Sequence, residues 1–256
     1  MKISVVTPVL NVVRFVRETI ESVLSQEGDF EIEYVIRDGG STDGTLDILD
    51  AYSDHPTVRV VSEKDRSNYD AINKGINACD GDISCWINAD DAYAPGTFQA
   101  VVESFRSQPE RQWLYGGCDI VDATGREIRQ PVTWYKQLLG CRYNYHVLLC
   151  ENYVNQPATF WTMDLWHQVD GLSLDYPIAA DYHLWLKFAN QSKAIVCRRK
   201  LAHFRRFGES ISDTQFEQQF QDELDIIRPY ANPVERAIHR FNRWKIVTVY
   251  RLMARA

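Results

Sequence analysis

The chain has 256 residues, 45% of them hydrophobic and 25% charged, enough for one large core, so one domain with an appendage is expected over two small ones. A formal net charge of −7 excludes a general nucleic-acid binder, which carries a basic domain. The charge is uneven: Val234 to Ala256 holds six Lys or Arg and one acidic residue, which leaves 22 basic and 34 acidic residues before it, a balance of −12, and marks the tail as an interaction segment.

Ile3 to Thr7 is a β-branched run ended by Pro8, and Val12 to Gln26 carries apolar residues at helical spacing. Glu33 to Arg37 predicts a second strand stopped by Gly39-Gly40, after which Ser41-Thr42-Asp43 caps a helix from Thr45 to Ala51. A strand at Val58 to Ser62, a helix at Tyr69 to Cys79 and a strand at Ile83 to Ile87 follow. This alternation predicts an α/β fold with a mostly parallel central sheet flanked by helices. Ligands in such sheets bind beyond the carboxyl ends of the strands, where the loops at Thr7-Pro8, Asp38-Gly39-Gly40 and Asn88 to Asp91 meet.

After about residue 100 the pattern is less regular. Trp113 to Cys118, Asn155 to Thr162 and Ala194 to Cys197 read as strands, Ala179 to Asn190 as an amphipathic helix, and Asp213 to Ile227 and Pro233 onward as two further helices. The expected division is a domain over 1–212 and a C-terminal helical extension over 213–256. Six scattered cysteines lack C-x-x-C or zinc spacing and read as reduced thiols. Met1-Lys2 leads straight into a strand and no apolar run reaches about 18 residues, so neither signal peptide nor membrane span is expected, and the expected location is the cytoplasm.

The stretch Trp86-Ile87-Asn88-Ala89-Asp90-Asp91-Ala92-Tyr93 delivers two adjacent carboxylates from a buried strand to the open end of the sheet. Magnesium and manganese take hard oxygen ligands and bridge one or two carboxylates to substrate phosphates, so this is a place to hold a nucleoside diphosphate.

Together with Ser4-Val5-Val6-Thr7-Pro8-Val9-Leu10-Asn11, Ile36-Arg37-Asp38-Gly39-Gly40-Ser41-Thr42-Asp43-Gly44-Thr45 and Tyr69-Asp70-Ala71-Ile72-Asn73-Lys74-Gly75-Ile76, that motif resembles the family 2 glycosyltransferases over about residues 3 to 210. The resemblance implies a GT-A fold, a nucleotide-sugar donor, and Mn2+ or Mg2+ as cofactor. It implies nucleotide-sugar contacts from Thr7, Pro8, Asn11, Asp38, Asp65, Arg66, Asn73, Lys74, Asn88, Ala89 and Asp90, with Asp38 suited to the imide N–H of uracil or thymine. Asp91 is assigned the metal and Asp90 the ribose and sugar, a pair of roles open to exchange, so both count as metal ligands. Asp43 reads as a capping residue.

Pro177 to Leu186 resembles the family segment that begins a helix and carries the base; Ala180 stands where Glu is frequent, leaving Asp181 as the catalytic carboxylate. Gln156 and Trp161, from Asn155 to Trp161, are implied on the acceptor or sugar side. His203, Arg205 and Arg206 resemble a late loop that closes over the diphosphate, although Phe207 occupies a usual Gly position.

The expected activity is inverting transfer from a nucleoside-diphosphate sugar, UDP-sugar favoured, to a saccharide or lipid-linked saccharide in surface polysaccharide biosynthesis. The rivals are a sugar-phosphate nucleotidyltransferase, for which no Gly-rich loop with a basic residue stands near the amino terminus, and a non-catalytic nucleotide-sugar-binding partner. In the tail, Val234, Ala237, Ile238, Phe241 and Trp244 recur at helical spacing beside Arg236, Arg240 and Arg243. That pattern suits peripheral contact with the inner face of the cytoplasmic membrane, or else a helix docked on the domain or in a homodimer.

Overall fold

The computed structural model describes residues 1–207 and 216–253, with side chains for 1–207 and 218–245. Strands β1 (Lys2–Val9), β2 (Glu31–Asp38), β3 (Val58–Ser62) and β4 (Ile83–Trp86) pair in parallel in the order β3-β2-β1-β4, connected by helices α1 (Val16–Leu24), α2 (Thr45–Asp50) and α3 (Asn68–Asn77). β1 and β4 are buried almost throughout, as central strands covered by helices must be, which is why they read as apolar runs.

The second half adds β5 (Ala92–Tyr93), α4 (Thr97–Ser107), β6 (Trp113–Val121), α5 (Gln130–Gly140), α6 (Tyr145–Cys150), β7 (Thr159–Thr162), α7 (Met163–Gln168), α8 (Ala180–Gln191) and β8 (Ile195–Arg205). The eight strands among the described residues form one sheet, β3-β2-β1-β4-β7-β6-β8-β5. β7 is antiparallel to β4 and β6, and β5 to β8, while β6 and β8 are parallel, so the sheet is parallel in its first half and mixed in its second.

Several strands differ from the sequence expectation: β1 runs through Pro8 to Val9, and β6 continues past Cys118 to Val121. Pro157 lacks an N–H, so Gln156–Ala158 forms a 3-10 turn and β7 begins only at Thr159. β8 runs on through the charged stretch Arg198-Arg199-Lys200 to Arg205, its register shifting against β6 around Gly117. β5, α4, α6 and α7 have no counterpart in the expected elements, nor does α5, of whose residues only Thr133 and Gly140 are buried and whose apolar spacing is weak.

Five tryptophans, Trp86, Trp113, Trp161, Trp166 and Trp185, are fully buried, with Trp86 and Trp185 stacked at 5.8 Å and Trp161 and Trp166 at 5.7 Å. They cement β4, β7 and β6 to α7 and α8. The six cysteines form no disulfide.

The chain ends in α9 (Phe216–Ile227) and α10 (Pro233–Met253). The inner face of α10 docks on α6: buried His239 pairs through Nδ1 with the Leu149 carbonyl at 2.9 Å, and Glu235 pairs with His146. The expected boundary at 212/213 lies outside the described residues. Among the described residues no helix is long and apolar enough to cross a membrane.

Candidate active site

Parallel pairing of β1 with β2 places Val9 level with Asp38, so the loops after both strands open side by side. Asn11, in the left-handed region at φ 53°, latches them together: its Oδ1 accepts the Thr42 N–H at 2.9 Å and its N–H donates to Ser41 Oγ at 2.8 Å. Asp43 takes the N–H groups of Thr45 and Val13, each at 3.0 Å, and so joins helix capping to the same latch. Asp38 is fully buried and accepts from Gly40 N–H, Ser41 N–H and, at 2.6 Å, the Ser62 hydroxyl. Burial alone would raise its pKa, but these hydrogen bonds prevail and hold the carboxyl below its usual value. Asp38 is therefore an ionised brace whose acceptor capacity is largely committed. Thr7 corrects the sequence expectation: its hydroxyl faces the core and meets Tyr34 Oη at 2.9 Å, both residues being fully buried. Pro8 is buried beside it, whereas Leu10, 58% exposed, stands open at the rim next to Gly39.

Asp65, Arg66 and Lys74 belong to one ionic network. Asp65 lies between Arg37 at 3.0 Å and Lys74 at 2.6 Å; Lys74 also pairs with Asp70 at 3.0 Å, and Arg66 with Asp70 at 2.9 Å. Asp65 keeps one buried oxygen, Oδ2, without a partner, and the Arg66 side chain is largely exposed. Asn73 turns elsewhere. It exchanges two hydrogen bonds of 2.9 Å with the backbone of Leu172 and pins the loop that leads to α8.

The Asn88–Asp91 turn leaves β4 and is gripped on all sides. Thr19 of α1 donates to the Asp91 carbonyl at 2.6 Å, Asn88 Nδ2 donates to Gln156 Oε1 at 3.3 Å, and Gln156 Nε2 donates to the Trp86 carbonyl at 2.8 Å. Ala89 is buried. The Asp91 carboxylate is 1% exposed; Oδ1 accepts the Arg205 N–H at 2.8 Å and Oδ2 has no partner. Burial, then the Asp90 charge, raises Asp91 well above the usual carboxylate range, and burial raises Asp90. Asp90 is the more accessible of the two. Its register neighbourhood adds His203, which pairs with Ala92 across β8 and β5 and whose Nδ1 is buried without a partner. Among the described residues no group of three His, Cys, Asp or Glu forms a self-sufficient metal cage. Two carboxylates with an orphaned buried oxygen nevertheless suit Mg2+ or Mn2+, which takes its remaining ligands from substrate phosphates and water.

Arg205 corrects the phosphate-contact expectation. It is 2% exposed, donating from Nε to the Asp90 carbonyl at 2.8 Å and from Nη1 to the Asp122 carbonyl at 3.0 Å, pairing with Glu18, and lying 4.9 Å from the Phe15 ring centroid. It ties the acidic turn to α1. Arg206 is also buried, and the loop beyond Phe207 lies outside the described residues.

Asp181 lies in the first turn of α8, half-buried, its Oδ1 accepting the Tyr182 N–H at 2.7 Å. Burial raises its pKa to about 6, with Glu223 adding to the rise and Lys136 opposing it. A carboxylate there is ionised at neutral pH yet basic enough to take a proton. Trp161 corrects the expectation of an acceptor contact: it is 0% exposed, packed among Trp86, Trp166, Trp185 and Phe188. Two residues join the site unforeseen. Tyr69 feels the Asp181 charge and donates its hydroxyl to the Ile178 carbonyl at 3.0 Å; Lys136 of α5 opposes the rise at Asp181 and donates to Asn155 Oδ1 at 3.3 Å. The only sequence signal for Lys136 was a lone cation beside Trp134-Tyr135.

A mycobacterial PGL/p-HBAD biosynthesis glycosyltransferase (Mycobacterium tuberculosis) is 28% identical over 86% of this chain and 83% of its own. A chondroitin synthase of Escherichia coli is 25% identical over 86% of this chain, which spans about a third (32%) of the synthase. Among solved structures, S. aureus TarS 1-349 in complex with UDP-GlcNAc superposes with TM-score 0.71 at 17% identity, covering 93% of this chain and 70% of TarS 1-349. The mannosyltransferase PcManGT from Pyrobaculum calidifontis, in complex with GDP-Man and Mn2+, gives 0.68 at 17%, covering 94% and 69%. The sheet and its helices are thus a GT-A fold. With residues 4–163 matching the sequence model of Glycosyl transferase family 2, the chain belongs to that family of transferases.

Proposed function

We propose that the chain is a metal-dependent inverting glycosyltransferase that moves a sugar from a UDP-sugar to a saccharide or lipid-linked saccharide during surface polysaccharide assembly. The observation that carries this reading is Asp181, a half-buried carboxylate raised to about 6 at the start of α8, with Lys136 acting on it and hydrogen-bonded to Asn155, next to the Gln156 that holds Asn88 of the acidic turn. Support for the donor comes from UDP-GlcNAc bound by one structural neighbour and for the metal from Mn2+ bound by another.

Asp90, the more accessible carboxylate, would hold the metal together with the partnerless Asp91 Oδ2, while Asp91 Oδ1 fixes the turn; this keeps both as ligands and moves the leading one from Asp91 to Asp90. When bound, the metal neutralises the departing diphosphate. Asp38 and Asn11 shape the base pocket, Leu10 offers an apolar surface to the base, and Arg66 and Lys74 supply positive charge along the nucleotide path. Asp181 takes the proton of the acceptor hydroxyl as its oxygen attacks the anomeric carbon and the bond to the diphosphate oxygen breaks. A single displacement inverts the anomeric configuration. The protein works at the inner face of the cytoplasmic membrane, attached through α10.

The test is a nucleotide-sugar screen by calorimetry with and without manganese, followed by donor hydrolysis and transfer assays. Metal-dependent binding of a UDP-sugar, with hydrolysis lost in Asp181→Asn, is expected. Pyrophosphate release from a nucleoside triphosphate would instead make the chain a nucleotidyltransferase, and binding without turnover a donor-binding partner.

A further inference from the structure

Two of the seven tryptophans are exposed, and they lie on helices that meet. Trp134 of α5 is 66% exposed with Leu138 one turn on, and Trp244 of α10 is 64% exposed with Phe241, Ile238 and Val234 along the same helical stripe. The helices touch where Lys245 Nζ donates to Tyr135 Oη at 3.0 Å and lies 4.8 Å from that ring's centroid. Tyr135 follows Trp134 and Lys245 follows Trp244, so one contact joins the edges of both stripes.

Cations border the apolar strip on both sides. Lys245 stands along the edge toward α5, 3.9 Å from Glu151, while on the far edge Arg236 and Arg240 line one groove with Arg228 and with Asp225 of α9, three cations to one carboxylate. Large apolar and aromatic side chains flanked by cations match the boundary of an anionic bilayer, with rings at headgroup level and guanidinium groups on phosphates. A second copy of this chain fits less well. An isologous contact through this face brings its cations toward their own copies, in a chain that is otherwise acidic.

We infer that α5 and α10 together form a docking surface for an anionic lipid interface. α5 gives it a catalytic consequence: Trp134 and Leu138 face outward from the helix whose Lys136 reaches Asn155 and acts on Asp181. Docking would bring α5, and with it Lys136 and the surroundings of Asp181, next to the headgroups, where a lipid-linked acceptor would present its hydroxyl. This surface extends the attachment proposed through α10 alone, and it rests on the glycosyltransfer reading only for the identity of the acceptor.

The experiment uses the full chain, phosphatidylcholine vesicles with and without phosphatidylglycerol, and vesicles of brominated lipid. Expected are binding to the anionic vesicles only, loss of about tenfold or more in partitioning for Trp134→Glu and separately for Trp244→Glu, and bromine quenching of both indoles, each assigned by the corresponding Trp→Phe variant. UDP release from soluble donor, measured on the same samples, is expected to be unchanged. Should Trp134→Glu bind like the parent and Trp134 escape quenching while Trp244→Glu fails, α10 alone docks and the two-helix surface is overturned. No vesicle binding, with a dimer in sedimentation velocity that Trp244→Glu breaks, makes the face a copy-to-copy contact and overturns it too. Loss of UDP release in the parent chain refutes glycosyl transfer but leaves the vesicle result standing.

Discussion

Asp181→Asn separates catalysis from stability by sign. The native fold holds this carboxyl at about 6 against an ordinary 3.8, so the folded state favours the neutral form. At about 1.4 kcal/mol per tenfold, the ionised group costs the native state up to about 3 kcal/mol above pH 6. The sign follows from proton binding: a folded pKa above the unfolded one means that the folded state holds the extra proton, so the penalty is absent below about pH 4, grows between 4 and 6, and is constant above. Asn keeps the shape and cannot ionise. It is expected to raise Tm at pH 7.5 by about 3 to 10 °C, with the difference vanishing near pH 4, while turnover falls about 10²-fold or more and donor affinity holds. In the parent enzyme, turnover should decline with acid through about 6 and not 4. Differential scanning calorimetry across pH, beside steady-state kinetics, measures both. A Tm difference that ignores pH, or an Asn variant less stable than the parent at neutral pH, refutes burial as the source of the raised pKa; an equal loss of donor binding moves Asp181 into the donor site.

Asp90→Ala should remove manganese-dependent donor binding at nearly unchanged Tm, whereas Asp91→Ala should also lower stability by about 1–3 kcal/mol by freeing the buried Arg205 N–H; identical effects in calorimetry and melting would erase the distinction. Arg205→Ala is expected to cost about 1–3 kcal/mol, because it removes the donors of the Asp90 and Asp122 carbonyls and loosens the acidic turn, and a wild-type urea midpoint would contradict that role. Trp161→Ala should cost about 3–5 kcal/mol as a core cavity, while Trp161→Phe should leave acceptor KM almost unchanged; a selective rise in acceptor KM for the Phe variant would restore Trp161 to the site.

The sheet's parallel half and the rim on which the site is built were legible because local signals agree there: β-branched runs, Gly-Gly and capping residues, and helical spacing coincide between Ile3 and Ile87. Asp181 came from the family resemblance of its segment, and the fold places it in the first turn of α8. Orientation was not legible. Thr7 and Trp161 sit in motifs that point toward a ligand, but strand alternation and the packing of five tryptophans turn them into the core. Arg205 looked like a phosphate ligand because a basic residue in a late loop carries no mark of the carbonyls it will meet, and those come from residues 115 and 83 positions away. Lys136 was invisible for a similar reason, since α5 has almost no buried stripe to announce a helix, and only the tertiary fold carries it to Asn155 and into the field of Asp181. Sequence patterns report short-range periodicity and chemistry; which side chain faces ligand, core or lipid depends on contacts far apart in the chain, which only the folded packing sets.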